Sequence, residues 1–298
     1  MSINVAINGF GRIGRAFARL AYNNSEIDIV AINDLADIEN LAYLLKYDTA
    51  YGRAPFEVSV NDDKGALIID GKEIPYSSIK IPEELPWDEV DADVVLEATG
   101  AFTKYSEARR HLKAGAKRVV VSAPVKDEPP QDIEGSTVLM GINDERLEVC
   151  DINSNASCTT NAAGPLIAIL QENLGIEKAL LNTVHGYTSS QDIVDSPNKK
   201  WRRGRAGAAN IVPSSTGSAI ATTKVVTSLD DLFDGIALRV PLPVGSIVDI
   251  TFIASCETST EEVNEILKKA AGQDRWRGIF TATEEPIVSS DIIGEEHA

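Results

Sequence analysis

The segment Asn8-Gly9-Phe10-Gly11-Arg12-Ile13-Gly14 leaves few folds open to this chain. It follows a short apolar run, Ile3 to Ile7, and opens residues 12–22, where apolar groups recur at helical spacing. Glycines in a G-x-G-x-x-G pattern permit a tight turn and close approach of a pyrophosphate. The helix that follows offers unpaired N–H groups and the positive end of its dipole. A second predicted strand, Asp28 to Asn33, leads directly to Asp34. That is about 20 residues past the last glycine, where an acid binds the ribose hydroxyls of a dinucleotide. A carboxylate there favours NAD, because it would repel the 2′-phosphate of NADP.

The rest of the first half alternates between two periods. Ile38 to Tyr47 reads as a helix, and Val58 to Ile69 as a hairpin turning at Asn61-Asp62-Asp63. Asp93 to Glu97 and Arg118 to Ser122 read as strands, separated by a charged amphipathic helix, Lys104 to Ala114. This order predicts a parallel sheet covered on both faces, a Rossmann-like arrangement. After residue 150 the pattern changes. A helix over 158–172 precedes strand-like runs at Ala179 to Val184, Gly235 to Val240 and Ile247 to Cys256, then a helix from Thr260 to Ala271. Fewer crossovers point to an α+β domain with a mainly antiparallel sheet. At about 150 residues per domain, 298 residues predict two: a dinucleotide-binding domain over 1–155 and a second over 156–298.

A net charge of −17 argues against nucleic acid or an anionic lipid surface as partner. An anionic ligand must then be held in a small local site. The three cysteines show no C-x-x-C spacing and no nearby histidine pair, which argues against a disulfide framework and against a metal. No apolar run reaches the ~18 residues of a spanning helix. The first residues lack a basic stretch followed by an apolar one, so a cytoplasmic protein with reduced thiols is expected.

Cys158 stands immediately before the predicted helix 158–172, among Ser157, Thr159 and Thr160. A helix N-terminus stabilises a thiolate. A nucleophilic thiolate also wants an imidazole, and His185 ends a predicted strand. His111, on a charged helix, and His297, in the tail, read as solvated side chains. Cys150 and Cys256, in apolar runs, read as buried thiols.

These residues carry a family likeness. The Asn8–Gly14 turn, Ser154-Asn-Ala-Ser-Cys158-Thr-Thr-Asn161, Thr183-Val-His185 and Pro213-Ser-Ser-Thr-Gly217 together resemble phosphorylating glyceraldehyde-3-phosphate dehydrogenase. So do Arg202-Arg203-Gly204-Arg205, Arg239-Val240-Pro241 and Val248-Asp249, and the likeness runs in order over nearly the whole chain. The resemblance implies that Cys158 attacks an aldehyde with His185 as general base. Hydride then leaves for NAD, and inorganic phosphate releases the thioester as 1,3-bisphosphoglycerate, a step of glycolysis and gluconeogenesis.

By the same resemblance, Thr188 and Arg239 match the site of the substrate phosphate, and Ser157, Thr159, Thr216 and Gly217 that of the attacking phosphate. Arg12, Ile13, Asp34, Thr99 and Ser122 match cofactor contacts, beside Gly9, Gly11 and Gly14. The loop 186–210 resembles one that lines a neighbouring subunit's cofactor site, which implies a homotetramer. The basic residues of that loop, Lys199, Lys200, Arg202, Arg203 and Arg205, read by themselves as a solvated patch. An erythrose-4-phosphate dehydrogenase of similar build, and a non-catalytic NAD-binding fragment, are the other readings.

Two departures stand out. The second cysteine usual in the family is Ala162 here, so no disulfide can form there with Cys158. The family's sequence also continues past the equivalent of residue 298 with further strand and a long C-terminal helix. The chain is therefore expected to be a fragment with that helix missing.

Overall fold

The computed structural model describes residues 2–297. They fall into two compact units: one reaches Val138 and takes in Glu145–Ala156, the other joins Leu139–Asp144 to the chain from Ser157 onward.

In the first unit, β1 (Ile3–Asn8) runs through the turn into α1 (Arg12–Ala21), then β2 (Ile27–Asn33) and α2 (Ile38–Lys46). A small hairpin, β3 (Tyr47–Asp48) and β4 (Gly52–Arg53), precedes the meander β5 (Val58–Asn61), β6 (Ala66–Ile69) and β7 (Lys72–Ser77). There follow β8 (Val94–Glu97), α3 (Tyr105–Ala108), α4 (Arg110–Lys113), β9 (Arg118–Val121), β10 (Gly135–Thr137) and β11 (Ile152–Ser154). The sheet order is β10-β11-β9-β8-β1-β2-β7-β6-β5. It is parallel from β10 to β7 and antiparallel across β7, β6 and β5.

Successive residues of β1 point to opposite faces, and both faces are covered. Ile7 packs with Phe10, Ala18, Ile32 and Leu45, while Ala6 packs with Trp87, Ala92 and Val95. The strand order departs in opposite directions from β1, toward β2 and toward β8. Ligands of open α/β sheets bind at the strand C-termini beside such a switch point.

The helix expected over 104–114 is two short ones. At Arg109 (φ −55, ψ −17) the chain tightens, and Leu112 N–H bonds Arg109 O three residues back. The result corrects the reading of His111: its side chain is fully buried, not solvated.

In the second unit, α5 (Cys158–Leu174) leads into β12 (Ile176–Gly186). Then come β13 (Val212–Ser215), α6 (Ser218–Thr223), β14 (Phe233–Val240), β15 (Ser246–Ala254) and α7 (Thr260–Ala271). The sheet order is β13-β14-β12-β15, with β12 and β14 parallel and the two outer pairings antiparallel. One face is covered by α5, whose Ile167, Leu170 and Leu174 pack with Ala179, Leu181 and Phe233. The opposite face leaves Leu180, Ile236, Ile247 and Ile253 each more than half exposed. Ser259, one residue before Thr260, caps α7 by accepting the N–H of Glu262. Cys150 is buried, but Cys256 lies just past the end of β15 and is exposed.

Candidate active site

The turn after β1 is built by two crowded glycines around an open one. Gly9 has φ +95, and a Cβ there would stand 2.5 Å from Thr99 N. At Gly14 a Cβ would meet Gly9 O at 2.2 Å. At Gly11 nothing lies within 4 Å. Gly11 is also the N-cap of α1, without a side-chain cap and with no acid in the first turn. The helix N-terminus therefore faces open space with its N–H groups available to an anion.

Asp34 Oδ2 accepts the N–H of Phe10 at 2.6 Å and Oδ1 that of Ala36 at 2.9 Å, which ties the end of β2 to the turn. Sequence reading passed over Arg15, which is buried and donates to Phe10 O at 2.7 Å from inside α1. Its position one residue past the last glycine was the only signal.

Asn8, Gly9, Gly11, Asp34, Thr99 and Phe102 help line a cleft of about 810 Å³, within the range of cofactor sites. Arg12 and Ile13 are exposed on the first turn of α1, and Ser122 follows β9, its N–H on Glu97 O at 3.0 Å; none of the three lines that cleft. Open backbone donors at one place and a carboxylate acceptor at another match the pyrophosphate and ribose of a dinucleotide.

In the second unit, Cys158 is the first residue of α5. Ser157 caps the helix, its Oγ accepting from Thr160 N at 3.1 Å, and no acid sits in the first turn. Cys158 is exposed, and its Sγ lies 3.2 Å from His185 Nε2. Partial burial works to raise the thiol's pKa. The bond and charge of His185, with the hydroxyl and N–H of Thr159, outweigh it, so the thiol titrates below its ordinary range.

His185 is delivered by β12, directly opposite Arg239 of β14 in register. Its Nδ1 stands 2.6 Å from Gly186 O and 2.8 Å from Arg239 Nη1. Nδ1 donates to the carbonyl when the ring is charged and accepts from the guanidinium when it is neutral, because arginine only donates. Either way Nε2 can hold a proton toward the sulfur.

Cys158, His185 and Arg239 are thus brought together. Beside them runs a hydroxyl chain: Ser157 Oγ lies 3.2 Å from Ser218 Oγ, which accepts from Thr216 Oγ1 at 2.9 Å. Gly217 opens α6, and a Cβ there would meet nothing within 4 Å. Thr188 is half-buried and its hydroxyl pairs with that of Ser190 at 2.8 Å.

Two contributors were not foreseen. Ser218 joins Ser157 to Thr216. Arg203, expected as part of a solvated patch, donates to Ser190 and Ser214 at 2.8 and 2.9 Å. Its charge is felt at Arg239. Two guanidiniums near enough to feel each other's charge, one of them bonded to hydroxyls, suit a phosphate dianion.

Known proteins resemble this chain over nearly its whole length. The sequence profile for the NAD binding domain of glyceraldehyde 3-phosphate dehydrogenase matches residues 3–105, and that for its C-terminal domain matches 157–298. The glyceraldehyde-3-phosphate dehydrogenase of Streptomyces coelicolor is 47% identical over 298 residues, 99% of this chain and 86% of that protein. That of Geobacillus stearothermophilus is 46% identical over 99% of this chain and 86% of its own length. Glyceraldehyde-3-phosphate dehydrogenase 1 of Bacillus subtilis is 44% identical over 100% of this chain and 87% of its own. With a glycine-rich turn between strand and helix, a thiol beside a histidine, and relatives matched across nearly its whole length, the chain belongs to the NAD-dependent glyceraldehyde-3-phosphate dehydrogenase family.

Proposed function

We propose that this chain oxidises glyceraldehyde 3-phosphate to 1,3-bisphosphoglycerate, in glycolysis and gluconeogenesis, through a thioester on Cys158. Residues 1–155 would hold the cofactor and residues 156–298 the chemistry. The observation that carries the reading is the 3.2 Å contact between Cys158 Sγ and His185 Nε2 at the start of α5.

Cys158 thiolate adds to the aldehyde carbon, and the charged His185 gives its Nε2 proton to the new alkoxide, leaving a hydroxyl and a neutral ring whose Nε2 is free. His185 then takes the hydroxyl proton as the C–H bond gives up its hydride. Bound NAD supplies the hydride acceptor. The thioester keeps the oxidation energy until the oxygen of inorganic phosphate attacks its carbonyl carbon. The C–S bond breaks, and the sulfur leaves as the thiolate that His185 and Thr159 stabilise.

Thr188 and Arg239 would take the substrate's phosphate, and Ser157, Thr159, Thr216 and Gly217 the attacking one. Arg203 adds a second positive charge near Arg239. Small cationic pockets of this kind reconcile phosphate substrates with a net charge of −17.

A homotetramer is the assembly we infer. The exposed apolar face of the second sheet and the exposed Ile193, Val194 and Trp201 of the 186–210 loop support self-association. No helix among the described residues is long and apolar enough to cross a membrane, and a cytoplasmic setting fits the proposed pathway.

The test compares kcat/KM on glyceraldehyde 3-phosphate and erythrose 4-phosphate, with NAD and phosphate. A preference for the triose, lost through a raised KM in Arg239→Leu, supports the reading. A preference for the tetrose replaces it.

A further inference from the structure

The chemistry makes no use of a polar network buried beneath the cofactor cleft. His111 of α4 is 0% exposed and Glu97, the last residue of β8, is 1% exposed. Trp87 Nε1 donates to His111 Nδ1 at 3.0 Å. An indole can only donate, so Nδ1 carries no proton. The proton of the neutral ring therefore sits on Nε2, 3.0 Å from Glu97 Oε2. Asn8 Nδ2 donates to the same oxygen at 2.6 Å. Glu97 Oε1 accepts both the N–H of Thr99, at 2.9 Å, and its hydroxyl. Four donors thus converge on one buried carboxyl group and fix its orientation.

The network reaches the cleft at both ends. Asn8 Oδ1 accepts from Asn33 Nδ2 at 2.7 Å, and Asn33 Oδ1 accepts the N–H of Ile79 at 2.8 Å. Ala98 N–H bonds Asn8 O at 2.7 Å. Gly9 has no Cβ because the Thr99 backbone occupies that space. Asn8, Gly9, Asn33, Ala98 and Thr99 all line the cleft. The backbone beneath the phosphate turn is thus fixed by Glu97, and Glu97 is aimed by His111.

We propose that His111 is a positioning residue for cofactor binding. Through Glu97 it holds the Ala98–Thr99 backbone against the Gly9 turn, so that the cleft floor is ordered before NAD arrives. A floor already in place spares the ordering cost of binding. The ring does this only while neutral, since protonation would set Nδ1–H against the indole N–H. Glu97 is the charged side chain in contact with the ring; Asn8, Trp87 and Phe102, its other neighbours, are neutral. The inference rests on the reading that the Gly9 turn and Thr99 contact the cofactor.

The test uses the whole chain with His111→Ala and His111→Gln. Glutamine can donate to Glu97 and accept from Trp87, as the neutral ring does. Amide hydrogen exchange is measured without NAD, and NAD affinity by calorimetric titration. In His111→Ala, exchange over residues 97–101 should quicken while α5 and β12 stay unchanged. The Kd for NAD should rise about ten-fold, the effect of one lost hydrogen bond to a charged group. His111→Gln should restore both to within about three-fold of wild type.

Unchanged exchange over 97–101 in His111→Ala overturns the proposal, and so does a glutamine variant as weak as the alanine one. Should His111→Ala fail to fold, Glu97→Gln replaces it, and an unchanged Kd there overturns the proposal equally. Exchange is read without cofactor, so it decides the positioning claim by itself. Failure of the wild-type chain to bind NAD would count against the cofactor reading instead.

Discussion

His185 Nε2 lies 3.2 Å from Cys158 Sγ, one side chain near the end of β12 and the other at the first residue of α5. Burial opposes ionisation of this thiol, and His185 with Thr159 overcomes it. Alkylation by iodoacetamide should therefore reach half its plateau below the pKa of about 8.5 of a free cysteine. In His185→Ala the opposing burial remains and the inflection should move upward, with kcat lower by about 10²–10⁴-fold. Rate against pH for both proteins checks this; coincident profiles would remove His185 from the account.

Gly11 and Gly14 should separate binding from folding. A Cβ at Gly14 would stand 2.2 Å from Gly9 O, so Gly14→Ala should lower stability by about 1–3 kcal/mol, the range for overpacking. A Cβ at Gly11 meets nothing of the protein. Gly11→Ala should keep its unfolding temperature and, if the proposed cofactor site is right, bind NAD more weakly, since the methyl group enters the space proposed for pyrophosphate. Thermal unfolding and NAD titration on both variants decide it. A Gly11→Ala protein with wild-type affinity would move the pyrophosphate elsewhere.

Both glycines were legible as a pair of constraints because the strand, the turn and the helix are contiguous. The same holds for Cys158 at a helix start. What the sequence hid is long-range. His111 is flanked by Arg109, Arg110 and Lys113, so its local pattern reads as a solvated face. Its burial comes from Trp87 and Glu97, on other elements. Arg203 lies in a basic loop whose composition suggests solvent, and its hydroxyl partners Ser190 and Ser214 are brought to it only by the fold. Cys256 fails the opposite way, since a continuous apolar run ends in space just past β15.

Asp127 should tie stability to acid pH. From the loop after β9 it accepts the N–H groups of Tyr105 and Ser106 and the Ser106 hydroxyl, capping α3 from outside. Burial raises its pKa, but these bonds outweigh it and the carboxyl titrates below the usual range. A depressed folded pKa stabilises the protein above the unfolded value, and the gain is lost as pH falls through the folded one. Asp127→Ala should cost about 1–2 kcal/mol at neutral pH, the scale of a lost cap. The gap to wild type should close in acid. Urea unfolding at several pH values checks it, and a gap independent of pH would contradict the assignment.

The most direct measurement is the mass of the protein mixed with NAD and glyceraldehyde 3-phosphate without inorganic phosphate, then quenched in acid. The account predicts an acyl adduct on the peptide holding Cys158, absent in Cys158→Ala and discharged when phosphate is added before the quench. No adduct, an adduct on another residue, or one that phosphate leaves in place would contradict a thioester at Cys158.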